Sequence, residues 1–394
     1  PQPHVAILGA GPIGLEAALA VAERRWPFTV YEAAPTVAGH VREWGHVRLF
    51  TPWEMNVSGR MRAALGQEVP AASSGPLPTG DELADRVYEP VAALPALAGR
   101  VRLGARVLAV AREGLLKHEE IASAERGRRS FRLLVAGPEG EAVEHADVVL
   151  DCTGTYGTPN SLGDGGIPAP GETALGDRVE RHMPDLATAG PDWAGKRILL
   201  TGSGHSAQTA ARDLAELARH APGTEVVWAI RGGDRSFGAI AGDALPARAE
   251  LNAAAAGLAA GASAALRAHF GAVSERLSER GGRVAVTLRN GSVGEIEVDR
   301  VLSLNGGVGD ASIYRQLQVH ECYATAAPMN LSAALLAQSG GGGDCLALAQ
   351  PGPETLANPE PGFFILGAKS YGRNSQFLLR IGWQQVDDAL GQVG

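Results

Sequence analysis

The six residues Gly9-Ala10-Gly11-Pro12-Ile13-Gly14 stand between a short apolar run, 4–8, and a stretch rich in alanine, leucine, valine and glutamate, 15–24. The run reads as a parallel strand buried on both faces and the stretch as a helix. Residues 28–32 read as a second strand that ends in an acid, Glu32. A strand, a glycine turn, a helix and a strand in about 30 residues form the unit that holds a dinucleotide. The first glycine permits a tight turn, the second lets backbone approach a pyrophosphate, and the third lets helix and strand pack closely. The helix N-terminus offers unpaired N–H groups and a partial positive charge to phosphate oxygens. Glu32 lies 18 residues past Gly14, where a carboxylate can accept hydrogen bonds from both ribose hydroxyls.

The unit recurs. Residues 197–201 read as a strand, Gly202-Ser203-Gly204-His205-Ser206-Ala207 as the turn, 208–220 as a helix and 225–230 as the next strand. The two turns start 193 residues apart, so one architecture is used twice and no short-period solenoid is present. The second unit ends its strand at Arg231 instead of an acid. A guanidinium there can pair bidentately with the 2′-phosphate of NADPH, with Arg235 as a helper. His205, inside the turn, is placed near the pyrophosphate or nicotinamide.

The remaining chain is read more coarsely. Residues 66–80 read as a loop, 80–93 as a helix, 101–112 as a strand or hairpin, and 112–130 as a solvated hairpin turn. Residues 148–152 read as a buried strand closing on Thr153-Gly154-Thr155. Residues 239–280 read as helical, 284–288 and 296–304 as strands, and 340–343 as a flexible loop. Residues 363–367 read as a strand and 375–390 as a helix.

The 394 residues, 45% hydrophobic and 20% charged, suffice for two or three domains with a sizeable core. A net charge of −8 argues against a general nucleic-acid binder. Cys152, Cys322 and Cys345 include no close pair, so neither a disulfide scaffold nor a cysteine-rich zinc site is expected. The histidines lack metal-ligand spacing, and no metal is expected. No apolar run reaches the roughly 18 residues of a membrane span. The chain enters its first strand without a basic leader, so a cytoplasmic protein is expected.

The quoted motifs together resemble the two-dinucleotide-binding-domain flavoproteins: the flavin-containing, N-hydroxylating and Baeyer–Villiger monooxygenases and the related thioredoxin reductase group. The first turn with Glu32 is similar to their FAD cradle and residues 202–207 to their NADPH cradle. The segment from Cys152 to Pro159 resembles the monooxygenase pattern Ala-Thr-Gly-x-Tyr-x-x-Pro. Residues 299–306, ending in Asn305-Gly306, resemble the second Thr-Gly-type strand, and 362–367 the strand that returns to FAD. The resemblance implies an α/β fold of two Rossmann-like three-layer domains. A discontinuous FAD domain, 1–165 and 316–394, would carry an inserted NADPH domain, 166–315. It implies FAD contacts from Gly9, Gly11, Pro12, Ile13, Gly14, Glu32, Arg48, Thr51, Val107, Thr153, Gly154 and Ser375. NADPH contacts are implied from Gly202, Gly204, His205, Ser206 and Arg231, and cofactor contacts from Asn305 and Gly306.

The chain departs from the family in three places. No Cys-x-x-Cys or Cys-x4-Cys pair exists. The monooxygenase fingerprint before the second cradle is degraded, with five residues between Gly176 and His182. The reductases' Gly-Asp after the last strand is replaced by Gly367-Ala368-Lys369.

Near the flavin, the resemblance points to residues 40–53, where Trp44, Phe50 and Trp53 are interleaved with His46, Arg48 and Thr51; packing under a long loop is the alternative. It also points to a helix starting near Asn374-Ser375, with Lys369 and Arg373 adding positive charge. His46, Arg48, Lys369 and Asn374 are therefore the catalytic candidates. The leading expectation is an NADPH-dependent class B monooxygenase that oxygenates a small molecule through a C4a-(hydro)peroxyflavin. The alternatives are a reductase of a low-molecular-weight disulfide or quinone, and a non-catalytic flavin- or nucleotide-binding protein. A homodimer is a family-level expectation, with neither nucleic acid nor membrane as partner.

Overall fold

The computed structural model describes residues 2–66, 75–289, 294–338 and 351–393. In chain order the strands are β1 (Val5–Leu8), β2 (Phe28–Tyr31), β3 (Val101–Arg102), β4 (Arg106–Arg112), β5 (Phe131–Gly137), β6 (Gly140–Ala146), β7 (Val148–Asp151) and β8 (Val179–Glu180). They continue as β9 (Arg197–Thr201), β10 (Glu225–Ile230), β11 (Leu266–Phe270), β12 (Val273–Arg280), β13 (Arg283–Arg289), β14 (Gly294–Val298), β15 (Arg300–Ser303) and β16 (Phe363–Ile365). The chain folds into two units, Pro1–Thr158 with Val308–Gly394, and Pro159–Gly307. The changes of unit thus fall before residues 166 and 316. Just inside the second unit, Pro159 bridges Gly307 and the Asn160 N–H donates to the Gly306 carbonyl at 2.8 Å, which ties its two ends together.

In the first unit β1 is the central strand of a parallel sheet ordered β16-β7-β1-β2-β3. The neighbours of β1 lead the chain in opposite directions, so its C-terminal end is the switch point where such sheets bind ligands. Alternate residues of β1 serve two cores. Val5 and Ile7 pack with the helices Pro12–Glu23 and Leu379–Gly391. Ala6 and Leu8 pack with Val107, Val110, Phe131 and Leu133 of the antiparallel sheet β4-β5-β6.

The second unit repeats this plan. Its parallel sheet is ordered β11-β10-β9-β15-β8, again with the glycine turn at the end of the central strand. Ile198 and Leu200 pack with Ala207, Ala210, Ala211 and Leu214 of the helix His205–His220. Leu199 faces the antiparallel sheet β12-β13-β14.

Several coarse expectations are corrected. Of 239–280, only Pro246–Ala259 is helical, and the segment's C-terminal part forms β11 and β12. Gly281 and Gly282, with φ of 57° and 80°, close a two-residue hairpin between β12 and β13, and that pairing overrides the local helix preference. Residues 101–112 divide between β3 on the parallel sheet and β4 on the antiparallel one. The segment 112–130 is no solvated turn throughout: it forms the helix Ala124–Arg128, and Arg112 and Arg126 are buried against Glu360. The last helix begins at Leu379, not Ser375. The 80–93 helix contains a π turn at Ala84–Tyr88. The expected loop at 340–343, residue Cys345 and residues 67–74 lie outside the described residues.

Candidate functional site

In the first unit the glycine turn packs closely on one side and leaves its backbone open on the other. A side chain at Gly14 would put its Cβ 1.9 Å from the Gly9 carbonyl oxygen, so close packing forbids one there. Gly11 is different: a Cβ would meet nothing within 4 Å, which leaves the backbone open to an incoming group. The N–H groups of Gly11 and Ile13 meet no acceptor among the described residues, and Pro12, at the first helical turn, has none to satisfy.

Glu32 follows β2 beside this turn. Its carboxylate accepts from the Ala10 N–H at 2.7 Å and the Ala34 N–H at 2.9 Å. A carboxylate offers about four acceptor sites, so acceptor capacity for a diol remains. Val107 lies on the neighbouring β4, at a register shift between Val107 and Ala109.

Thr153 and Gly154 follow β7. The Thr153 N–H and hydroxyl donate to Asp151 Oδ1 at 3.1 and 2.7 Å. Lys369 Nζ donates to Asp151 Oδ2 at 2.6 Å and to Thr153 Oγ1 at 3.0 Å. Both charges of this pair are buried, at 2% and 0% side-chain exposure. The Lys369 ammonium thus serves an internal ion pair that fixes the Thr153 turn, rather than standing free as an added positive charge. Asp151, an acid closing an otherwise apolar strand, is the sequence signal for this pair.

The 40–53 segment is fastened largely by groups that follow it in the first unit. The Arg48 guanidinium donates to the Leu77 carbonyl and stands 3.7 Å from Glu82. Thr51 Oγ1 and its carbonyl accept from Asn56 Nδ2 at 2.9 and 3.0 Å. Trp53 is buried in the core, with Trp44 packed against it, so packing accounts for these two aromatics. His46 Nε2 is buried and meets no hydrogen-bond partner among the described residues. Asn374 and Ser375 lie in the loop before the last helix, not at its N-terminus. Asn374 accepts from the Gln376 N–H at 2.9 Å.

In the second unit Gly202 has a φ of 111°, and a Cβ there would come within 2.3 Å of the Leu304 carbonyl oxygen. Gly204 again faces open space. The N–H groups of Ser203, Gly204 and Ser206 meet no acceptor among the described residues. His205 opens the helix. Desolvation and the Arg248 charge hold its imidazole below the usual histidine value, with Asp243 partly opposing. Arg231 is exposed at the end of β10, and Arg235 lies over the Phe270 ring at 4.4 Å. Asn305 and Gly306 follow β15. Asn305 Nδ2 donates to Ser303 Oγ at 3.2 Å, and its carbonyl accepts from Asn160 at 3.0 Å.

Among the described residues no group of three or more His, Cys, Asp or Glu could hold a metal ion, and no helix is long and apolar enough to cross a membrane.

Two doubly wound parallel sheets each carry a glycine turn at the switch point. No protein-family model and no curated protein matches the chain. Solved structures do. The bacillithiol disulfide reductase Bdr from Bacillus cereus matches with a TM-score of 0.69 at 19% identity, over 100% of this chain and 99% of its own. The ornithine N-hydroxylase from Kutzneria sp. 744 matches with a TM-score of 0.66 at 14% identity, over 100% and 99%. The thioredoxin reductase of T. acidophilum matches with a TM-score of 0.58 at 16% identity, over 100% and 97%. The chain has the fold of the two-dinucleotide-binding-domain flavoproteins.

Proposed function

We propose that this chain is an FAD-containing, NADPH-dependent oxidoreductase of a small molecule, and that its reaction is a monooxygenation. The observation that carries the cofactor reading is the difference between the two turns: one ends beside Glu32, the other beside Arg231. FAD, when bound, supplies the electron-transfer and oxygen chemistry. The first unit would hold it through the Gly11 and Ile13 N–H groups at the pyrophosphate and Glu32 at the ribose hydroxyls. The open backbone at Gly11 and the spare acceptor capacity of Glu32 fit that group. In the second unit the Ser203, Gly204 and Ser206 N–H groups would meet the NADPH pyrophosphate, and Arg231 with Arg235 the 2′-phosphate.

Oxygenation rather than dithiol relay is supported by the cysteines. None is close to another in sequence, and burial pushes the Cys152 thiol far above its usual value. The Thr153–Pro159 motif and the likeness to an N-hydroxylase point the same way.

A second reading, an NADPH-linked reductase of a low-molecular-weight disulfide, is favoured by Cys322. Its thiol is drawn down to about 7 by the Ser332 and Thr325 hydroxyls and by the Thr325 and Ala324 N–H groups. The thiolate fraction therefore rises through about pH 7. Iodoacetamide should label Cys322 with a half-maximal rate near that pH while Cys152 stays unlabelled, read by peptide mass spectrometry. A midpoint above pH 8.5, near that of a free thiol, removes the support Cys322 gives to this reading.

The purified protein should be yellow, and NADPH should bleach it without oxygen. Under heavy-isotope oxygen, turnover with a panel of amines and sulfides should place one labelled oxygen atom in the product. Anaerobic NADPH turnover with disulfides or quinones, lost in Cys322→Ser for disulfides, establishes the reductase instead. A bound flavin that NADPH does not bleach leaves a binding protein. Arg231→Ala should raise the NADPH KM by about 10- to 100-fold and leave the NADH KM nearly unchanged, the value of a charge-assisted bidentate contact. Equal effects on both would remove the 2′-phosphate assignment.

A further inference from the structure

The second glycine turn is braced by buried side chains of its own unit, whereas in the first the Ala10 carbonyl is held by a backbone group, the Ala38 N–H at 3.1 Å. Trp228, on β10, donates its indole N–H to the Gly202 carbonyl at 2.8 Å. Gln208, on the helix that follows the turn, donates from Nε2 to the Ser203 carbonyl at 2.9 Å and to the Phe237 carbonyl at 3.1 Å. Both partners of that nitrogen are carbonyl oxygens, so it must be the NH2 end of the amide. Gln208 is 2% exposed and Trp228 is fully buried. The Trp228 ring also stacks on Phe237, with centroids 5.1 Å apart and planes 27° apart. The residue in the same place after the first turn is Leu15, which is apolar and buried.

The geometry matters because a trans peptide holds its C=O and N–H antiparallel. A carbonyl pinned inward turns the N–H of the same peptide outward. The Gly202 carbonyl shares a peptide with the Ser203 N–H, and the Ser203 carbonyl shares one with the Gly204 N–H. Both residues are exposed, and neither N–H meets an acceptor among the described residues.

We infer that Trp228 and Gln208 are positioning residues which hold the Ser203 and Gly204 N–H groups preorganised for the pyrophosphate of the nicotinamide coenzyme. The inference rests on the reading of the second unit as the NADPH site. Preorganised donors need no rearrangement when the anion arrives, so loss of a brace is felt in affinity for the pyrophosphate. The adenosine 2′-phosphate end, which depends on Arg231, is not touched by the Trp228 brace.

The test uses the full-length protein and two probes: NADP+, and adenosine 2′-monophosphate, which lacks the pyrophosphate. Trp228→Phe keeps an aromatic ring for Phe237 and removes the N–H together with the five-membered ring that carries it; the probe that lacks the pyrophosphate reports the effect of the lost volume. Gln208→Met keeps length and removes both donors. Each should weaken NADP+ by about tenfold, the value of one oriented hydrogen bond. Trp228→Phe should leave adenosine 2′-monophosphate within about twofold, whereas Arg231→Ala should weaken both probes. In the wild type, inorganic pyrophosphate should shift the Ser203 and Gly204 amide resonances, a readout that does not require the variants to fold. Equal losses for both probes in Trp228→Phe, no loss for either probe, or amides silent to pyrophosphate would each overturn the inference. Wild-type protein that binds neither nucleotide while its two amides respond to pyrophosphate overturns the NADPH reading and leaves the bracing intact.

Discussion

Glu360→Gln should cost about 3–5 kcal/mol of unfolding free energy, the loss expected when one partner leaves a buried ion network. The Glu360 side chain is fully buried and both arginines that face it are 1% exposed. Its carboxylate accepts from Arg112 Nε at 2.6 Å, from Arg126 Nε at 3.0 Å and from the Gln318 N–H at 2.7 Å. The Arg112 guanidinium also lies over the Phe131 ring at 3.6 Å, and burial draws its pKa below the usual arginine value. Neutralising Glu360 leaves two like charges in the core with no counterion. Chemical denaturation with the slope held constant checks this, and a loss under about 1 kcal/mol would show that the arginines find other compensation. The triple change Arg112→Met, Arg126→Met and Glu360→Leu should recover much of the loss, because a desolvated network contributes little net stability over apolar packing.

Lys369→Met should have a comparable effect, about 3 kcal/mol or more, by leaving the Asp151 carboxylate fully buried without its cation. The expected consequence extends to function. Lys369 also holds Thr153 Oγ1, so the Thr153-Gly154 turn beside the first glycine turn loses a brace, and the variant should retain less FAD through purification. A double-mutant cycle with Asp151→Asn separates the pair from its surroundings. Coupling of at least about 1 kcal/mol is expected, because removing both charges leaves neither one buried alone. Strict additivity of the two single losses would mean that the pair is incidental.

How far the sequence could be read differs from place to place. Both glycine turns were legible, with their strands and helices, because each is a local unit whose spacing is set by backbone geometry. The discontinuous arrangement was expected from resemblance, and the observed change of unit falls where Pro159 and Gly307 pair. The 239–280 region was misread because alanine-rich composition hid a hairpin that forms only when β12 finds β13. The helix expected at Ser375 starts at Leu379. Asn374 and Ser375 form part of a loop with its own hydrogen bonds, and nothing in the helical periodicity marked that start.

Charge was the least legible property. Arg112, Arg126 and Lys369 looked like solvated or ligand-facing cations, and each proves to be buried beside a carboxylate distant in sequence. Arg112 meets Glu360 at a separation of 248 residues, and Lys369 meets Asp151 at a separation of 218. Gln208 and Trp228 read as ordinary helix and strand residues, and only the packed unit shows both reaching the same turn.

The sequence by itself determined that two dinucleotide-type turns exist and that one is followed by an acid and the other by a base, since a turn and its flanking elements are built from neighbours along the chain. Only the tertiary structure decided which polar groups are spent inside the protein and which face outward. That outcome depends on partners hundreds of residues away, and a buried charge is tolerated only where such a partner arrives.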